Sequence, residues 1–168
     1  IKCDKRAISK MTLQLEKVMG TNGGWQDQVG GLYDGVKLLY TKKGTSQEVF
    51  VKRLRKDAED KFAEYLREHA LLYFTGQKRM ARNVLKGVLK FYEDNPFGIA
   101  KEIIKRLKKD SEKAFEALER CDFDVFAQTL NSYWSSKKAL DPGSTNPFVE
   151  SIIARIAPWT SAVSLCGA

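Results

Sequence analysis

The second half of the chain is dominated by one pattern, in which large apolar residues recur every three or four positions. This spacing aligns apolar side chains along one side of an α-helix, and that side must pack against another element to leave water. Turn-forming residues separate the apolar stretches, as in the connector DPGSTNP at 141–147. The pattern therefore predicts successive helices at about 78–95, 97–120, 124–140 and 148–157.

The first half of the chain mixes helical and strand patterns. Apolar residues at helical spacing predict a helix over 5–19, which ends at Gly20. The β-branched and aromatic residues of 35–41 and 47–54 predict the two strands of a hairpin. Residues 56–68 return to helical spacing and predict a further helix.

Two more apolar runs are short enough to be strands. HALLYFTG at 69–76 predicts a short buried strand that ends at Gly76, and SAVSLCGA at 161–168 predicts a strand at the end of the chain. Together, the patterns predict an α+β fold with a mixed α/β front and a helix-rich back.

The composition indicates a folded, globular chain. Its 168 residues are enough to bury a core in one domain, or in pieces of two, and the 43% hydrophobic and 30% charged fractions argue against disorder. No apolar run is long enough to span a bilayer, so we expect no membrane partner. The opening residues IKCDKRAISK have neither an apolar core nor an initiator Met, and we interpret Ile1 as a fragment boundary.

The cysteines and the single histidine offer little chemistry. Cys3, Cys121 and Cys166 are widely spaced and form no CxxC pair, which argues against a disulfide scaffold or a zinc site. Such usage favours a reducing compartment, and we expect a cytoplasmic protein. His69 precedes an apolar run, and we interpret it as a satisfied strand-end residue rather than a ligand or base.

The net charge of +8 raises the question of a nucleic-acid partner. The basic residues cluster at 52–56 and 101–113, and in the second cluster apolar residues keep helical spacing while Lys fills the other side. A solvated helix face explains this arrangement without any partner, and no nucleic-acid-binding motif accompanies it. Nucleic-acid binding is therefore the minority interpretation.

The glycine-rich stretch GGWQDQVGG at 23–31 is the strongest candidate for a binding site. Its central acid, Asp27, can accept a proton or a hydrogen bond from a substrate hydroxyl. Gln26 and Gln28 both donate and accept, which suits a polyol such as a sugar, and Trp25 offers an apolar face for a sugar ring. Glycine and Asp are also ordinary turn residues, so the residues alone favour a structural turn in a polar loop.

Other catalytic motifs are missing from the sequence. It has no GxxxxGK[ST] phosphate loop, no HExxH and no GxSxG. Asp122 and Asp124 could mimic a carboxylate pair, but we interpret them as caps at the start of the helix predicted at 124–140.

The stretch GGWQDQVGGLYDGVKLL at 23–39 resembles sugar kinases of the GHMP superfamily, and most of all their L-fucokinase branch. Three later segments resemble that branch in the same order. They are LLYFTGQKRMARNVL at 71–85, LNSYWSSKKALDPGSTNP at 130–147, and IAPWTSAVSLCGA at 156–168, which is similar to the approach to a third, glycine-rich motif. The resemblance covers nearly the whole chain, and the shared order makes it specific.

The resemblance implies transfer of the γ-phosphoryl group of ATP to the anomeric hydroxyl of L-fucose, with ATP and Mg²⁺ as cofactors. It implies that Asp27 is the catalytic base or electrostatic anchor for the attacking hydroxyl. Further residues are implied as sugar contacts or as the start of a nucleotide-binding motif: Gly23, Gly24, Trp25, Gln26 and Gln28 for the sugar, and Gly167 and Ala168 for the nucleotide.

Several basic and aromatic residues within the matched segments have structural alternatives. Arg79 is implied as a phosphate or sugar contact, and an ion pair at a helix start explains it equally well. Tyr133 and Trp134 fit the apolar stripe of a helix, so we predict core packing for them. We expect Lys137 and Lys138 to be surface charges.

The resemblance also implies a division of the chain and a limit. Residues 1–78 match the end of an N-terminal α/β lobe, and residues 79–168 match a helix-rich C-terminal lobe of a GHMP-kinase-like fold. The Gly/Ser-rich ATP-phosphate loop of the family has no match here, so we interpret the chain as an internal fragment and expect it to be inactive alone. Three alternatives stay open: a kinase for a heptose or galactose-type sugar, a catalytically silent binding module, and a basic nucleic-acid-binding domain.

Overall fold

In a computed structural model of the chain, the described residues are 4–20, 25–42, 48–76, 81–95 and 98–166. They form two compact units, divided between Leu54 and Arg55. The lobe boundary predicted between residues 78 and 79 lies outside the described residues and stays a prediction.

The first unit combines two helices with a hairpin. Its elements, all within the described part of the unit, are helix α1 (Lys5–Val18), helix α2 (Gln26–Leu32), strand β1 (Lys37–Thr41) and strand β2 (Val49–Arg53). The strands pair antiparallel, with Leu39 opposite Val51. The predicted helix at 5–19 and the predicted hairpin are both confirmed.

Helix α1 begins and ends as its sequence indicates. The Asp4 carboxylate accepts a hydrogen bond from the Arg6 N–H at 2.9 Å, which caps the first turn. Gly20, just after the helix, has φ +70°, a conformation that favours glycine. The apolar stripe of α1 is mostly exposed, however, since Met11 and Val18 are 68% and 85% accessible.

All the regular elements in the described part of the second unit are helices. Its helices are α3 (Lys56–His69), α4 (Ala81–Asp94), α5 (Ile99–Glu119), α6 (Phe123–Leu140) and α7 (Pro147–Ile156), with short 3₁₀ turns at Pro142–Ser144 and Ala157–Trp159. All the helices predicted from apolar spacing in this half are confirmed. No helix of the described residues combines the length and the apolarity needed to cross a membrane.

The core of the second unit lies between α5 and α6, with α3 against one end. Phe115 of α5 and Trp134 of α6 are each only 5% exposed, which confirms the predicted core packing of Trp134. The ring of Phe62 on α3 meets that of Phe126 on α6 edge to face, with centroids 5.1 Å apart. Tyr133 is half-buried, and this burial raises the pKa of its phenol.

Asp122 caps α6, as its sequence position predicts. Its carboxylate accepts a hydrogen bond from the Val125 N–H at 3.1 Å, whereas Asp124 lies exposed in the first turn. We expect Asp122→Ala to lower the free energy of unfolding by about 1 kcal/mol, because the capping acceptor is lost. Urea denaturation measures this, with Asp124→Ala as the control. An equal loss in both variants would show that charge near the helix end matters, rather than capping.

The two single strands predicted outside the hairpin are wrong for the described residues. Residues 70–76 form no strand, and the side chains of residues 71–74 are exposed. Residues 161–166 are also irregular. There the side chain of Asn131 hydrogen-bonds to two backbone groups. It donates to the Ser161 carbonyl at 2.8 Å and accepts from the Val163 N–H at 3.1 Å.

Two predictions about single side chains also need correction. His69 is the last residue of α3 rather than a strand end, and its ring packs on Tyr65 with centroids 4.7 Å apart. Lys138 is not a free surface charge, since its ammonium lies 3.1 Å from the Glu150 carboxylate and above the Trp134 ring. Hydrogen bonding from Thr145, and then from Lys138, lowers the pKa of Glu150.

Candidate functional site

The WQDQ residues lie at the start of a helix, not in the polar loop that the sequence analysis predicted. Trp25 occupies the N-cap position of α2, and its carbonyl accepts from the Val29 N–H at 3.0 Å. Asp27 lies in the first turn, where its negative charge interacts favourably with the positive end of the helix dipole. Val29 is 3% exposed and anchors the short helix against the rest of the unit.

Asp27 is available to a ligand. Its side chain is exposed, and no hydrogen bond or ion pair joins it to another residue in the part of the chain that the structure describes. Gln26 beside it is also exposed, and Trp25 is half-buried. The start of α2 therefore presents a carboxylate, an amide and an aromatic side chain next to one another along the chain.

Gln28 has a different environment, because its side chain reaches the neighbouring helix. The amide nitrogen donates a hydrogen bond to the Glu16 carboxylate of α1. The amide oxygen of Gln28 is buried and has no hydrogen-bond partner among the described residues. This contact with Glu16, which the sequence analysis did not single out, fastens α2 to α1 and so holds the turn that carries Asp27. The only signal in the sequence was an acid in the last turn of the preceding helix pattern.

We expect Gln28→Ala to loosen α2 in the first unit. Loss of a hydrogen bond to a charged group in a part-buried position costs about 1–3 kcal/mol, so amide exchange in α2 should become faster. Hydrogen exchange followed by mass spectrometry measures this. The matched control is Gln26→Ala, which removes the same side chain from an exposed position of the same helix. Equal exchange rates in the two variants would contradict a structural role for Gln28.

The glycines that follow the WQDQ residues lie within α2. A Cβ built on Gly30 or Gly31 would have no heavy atom of the described residues within 4 Å. Packing among those residues therefore does not require glycine at either position. Glycine also weakens a helix by roughly 1 kcal/mol relative to alanine, so helix stability does not explain these two residues either. Open space in front of the helix backbone is compatible with the close approach of a ligand.

The remaining predicted site residues lie outside the described residues. These are Gly23 and Gly24 before α2, Arg79 between α3 and α4, and Gly167 and Ala168 at the end of the chain. Their roles stay predictions.

A cavity lined by residues of the second unit contains none of the predicted site residues. It is an open cleft of about 640 Å³, lined by Arg55, Asp57, Lys61, Glu119, Arg120 and Cys121. Arg55 is already engaged there, as it donates to the Glu119 carbonyl at 3.1 Å. Among the residues that the structure describes, no group of three or more His, Cys, Asp or Glu side chains could hold a metal ion.

Two known proteins are similar in sequence to the chain over nearly its whole length. It is 36% identical over 163 residues, 96% of its length, to a bifunctional fucokinase/GDP-fucose pyrophosphorylase of Arabidopsis thaliana. It is 37% identical over 165 residues, 98% of its length, to an L-fucokinase/L-fucose-1-P guanylyltransferase of Bacteroides fragilis. The chain is homologous to fucokinases. It spans only 15% and 17% of the length of these two relatives.

A third relative is a kinase named for a different substrate, a heptose phosphate. The chain is 31% identical over 150 residues, 86% of its length, to a D-glycero-alpha-D-manno-heptose 7-phosphate kinase of Campylobacter jejuni. It spans 41% of that relative. No protein-family model and no solved structure matches the chain. The resemblance to sugar kinases that the sequence motifs indicated is thus confirmed by similarity over nearly the whole chain.

Proposed function

We propose that the chain is the sugar-acceptor part of an ATP-dependent kinase that phosphorylates the anomeric hydroxyl of L-fucose. The observation that carries this proposal is the identity of 36% and 37%, over nearly the whole chain, to two fucokinases. The proposal includes a GHMP-kinase-like fold, ATP and Mg²⁺ as cofactors, and the cytoplasm as the site of action.

Asp27 is the residue to which we assign the chemistry. Phosphoryl transfer depends mainly on alignment of the attacking hydroxyl and on stabilisation of charge. The exposed carboxylate of Asp27 can hold the anomeric hydroxyl and accept its proton. Trp25 and Gln26 lie within two residues of it in the sequence and are assigned to the sugar.

The described residues contain no group of three or more His, Cys, Asp or Glu side chains that could hold a metal ion. Mg²⁺ in phosphoryl-transfer sites is held by one or two carboxylates together with phosphate oxygens and water, so a cluster of three protein ligands is not needed. Asp27 is assigned to the sugar hydroxyl, so the proposal takes no Mg²⁺ ligand from α2. When bound, Mg²⁺ neutralises charge on the transferred phosphoryl group. We assign the ATP-phosphate loop to polypeptide other than these 168 residues, because no Gly/Ser-rich loop of that kind occurs in them.

A sugar panel tests the proposed function. The complete gene product is incubated with ATP, Mg²⁺ and one sugar at a time, and ADP release is measured for L-fucose, D-galactose and a heptose 7-phosphate. We expect L-fucose to give the highest kcat/KM, and phosphorus NMR to show a sugar 1-phosphate. The 168-residue chain alone serves as a second sample, and we expect it to release no ADP. Fucose-dependent turnover by this shorter chain would overturn the assignment of the ATP-phosphate loop to other polypeptide.

The heptose relative supports a second candidate, a kinase for a heptose-type sugar. The same panel separates the two, since preference for the heptose over L-fucose would replace the proposed substrate. Fucose binding without ADP release from any sugar would instead indicate a catalytically silent module with an inherited site.

A further inference from the structure

Residues 161–166 continue from the last 3₁₀ turn without regular secondary structure. They follow extended backbone, since Thr160 has φ −129° and ψ 135°. Within the described ranges, two hydrogen bonds join this segment to the rest of the second unit, and the side chain of Asn131 makes both of them. The hydrogen bonding that attaches the segment to the unit therefore depends on one side chain.

The amide of Asn131 binds the backbone on both sides of Ala162. Its nitrogen donates to the Ser161 carbonyl at 2.8 Å, and its oxygen accepts from the Val163 N–H at 3.1 Å. A residue of a parallel strand donates and accepts in the same way around the residue opposite it. A single bond would leave the segment free to turn about it, whereas two bonds also fix its direction.

The position of Asn131 on α6 gives this attachment a rigid base. Helix α6 packs along α5, and Trp134, about one turn further on, is buried in the core. Asn131 itself is exposed, so core packing does not explain an asparagine at this position. Helix stability does not explain it either, because asparagine is a weaker helix former than alanine. The two hydrogen bonds to the backbone are the remaining role for its side chain.

We propose that Asn131 is a positioning residue for the nucleotide side of the kinase. The segment that it holds leads directly into Gly167 and Ala168, to which the sequence resemblance assigns the start of a nucleotide-binding motif. The inference rests on the proposed function, which supplies ATP as the ligand. The sugar is assigned instead to residues around Asp27 in the first unit. Loss of the Asn131 amide should therefore weaken ATP binding and leave the binding of L-fucose unchanged.

Hydrogen exchange tests the attachment itself. The complete gene product carrying Asn131→Ala is compared with the wild type by mass spectrometry, and exchange is read for peptides that cover residues 161–166. We expect about tenfold faster exchange in the variant, because the Val163 N–H loses its acceptor and the segment loses its attachment. The matched control is Gln128→Ala, which removes an exposed amide from the same helix and should exchange like the wild type. Equal exchange in the two variants would contradict the attachment.

Kinetic constants test the consequence for the nucleotide. ADP release is measured at varied ATP with saturating L-fucose, and then at varied L-fucose with saturating ATP. For Asn131→Ala, we expect the KM for ATP to rise about tenfold, and the KM for L-fucose and kcat to stay within about twofold of the wild type. Gln128→Ala should change none of the three constants. An unchanged KM for ATP, or an equal rise in both KM values, would overturn the positioning role.

Asn131→Asp separates the pair of hydrogen bonds from a single one. Aspartate has nearly the same shape and still accepts from the Val163 N–H, but its carboxylate cannot donate to the Ser161 carbonyl. Because one bond does not fix the direction of the segment, we expect the KM for ATP to rise as it does for Asn131→Ala. A wild-type KM for ATP in the aspartate variant would contradict the requirement for both bonds.

Binding of ATP alone, measured by calorimetry on the same samples, keeps this inference distinct from the proposed function. Weaker ATP binding and faster exchange of 161–166 in Asn131→Ala, without ADP release from any sugar, would overturn the kinase and leave the positioning role standing. Fucose-dependent ADP release, with equal ATP affinity in the wild type and Asn131→Ala, would overturn the positioning role and leave the kinase standing.

Discussion

Asp27→Asn in the complete gene product is expected to lower the fucose-dependent kcat by a factor of about 10² to 10⁴. Asparagine keeps the size of the side chain but carries no negative charge and accepts no proton. The carboxylate of Asp27 is exposed and makes no hydrogen bond or ion pair within the described residues, so the substitution should leave the fold intact. ADP release gives kcat and KM, and thermal unfolding gives the stability.

The matched control for this substitution is Asp34→Asn. Asp34 is an exposed aspartate seven positions further along, just after the end of α2. The same change of charge should have little effect there on either kcat or stability. Near-normal turnover of the Asp27 variant would remove Asp27 from the mechanism. An equal fall in both variants would indicate a general effect of charge rather than a catalytic role.

Trp134→Ala is expected to have the largest effect on stability, about 3–5 kcal/mol. Trp134 is 5% exposed on α6, the helix that packs along α5 in the core of the second unit. Truncation removes a large apolar surface from the core and leaves a cavity that the neighbouring helices fill only in part. Urea denaturation followed by circular dichroism measures the loss.

Trp134→Phe is the control that separates packing from hydrogen bonding. The indole N–H of Trp134 is buried without a hydrogen-bond partner in the described part of the chain, so phenylalanine forfeits no such bond. It also keeps most of the apolar contact, and we expect it to cost clearly less than alanine. A loss as large as that of alanine would indicate that the indole nitrogen has a partner, and would contradict the packing argument.

Local chemistry made the helices of the second unit predictable. Apolar residues at intervals of three and four, with Asp122 before the first turn of α6, determine both the position and the start of that helix. In the first unit, Gly20 marks the end of α1 and the β-branched residues indicate the strands of the hairpin. These signals depend on neighbours within four residues, so they can be recognised in the sequence without knowledge of the tertiary structure.

The candidate site was only partly predictable. The order of the motifs identified Asp27 as its centre, and similarity over nearly the whole chain supports the kinase family. The sequence pattern around Asp27 predicts a loop, because glycine and Asp are turn residues. Val29 is buried and Gln28 is bonded to Glu16, and these contacts with other parts of the unit make the same residues helical.

The sequence by itself determined the approximate positions of α1, of the hairpin and of the helices of the second unit, and it identified the candidate residues for the acceptor chemistry. Only the tertiary structure decided that WQDQ opens a helix, that the Gln28 amide bonds to Glu16 of α1, and that the apolar residues 71–74 are exposed and form no strand. A strand needs a neighbouring strand to satisfy its backbone, and a short helix of low propensity needs a packed face. Both conditions depend on residues that are distant in the sequence, so no local pattern can state whether they are met.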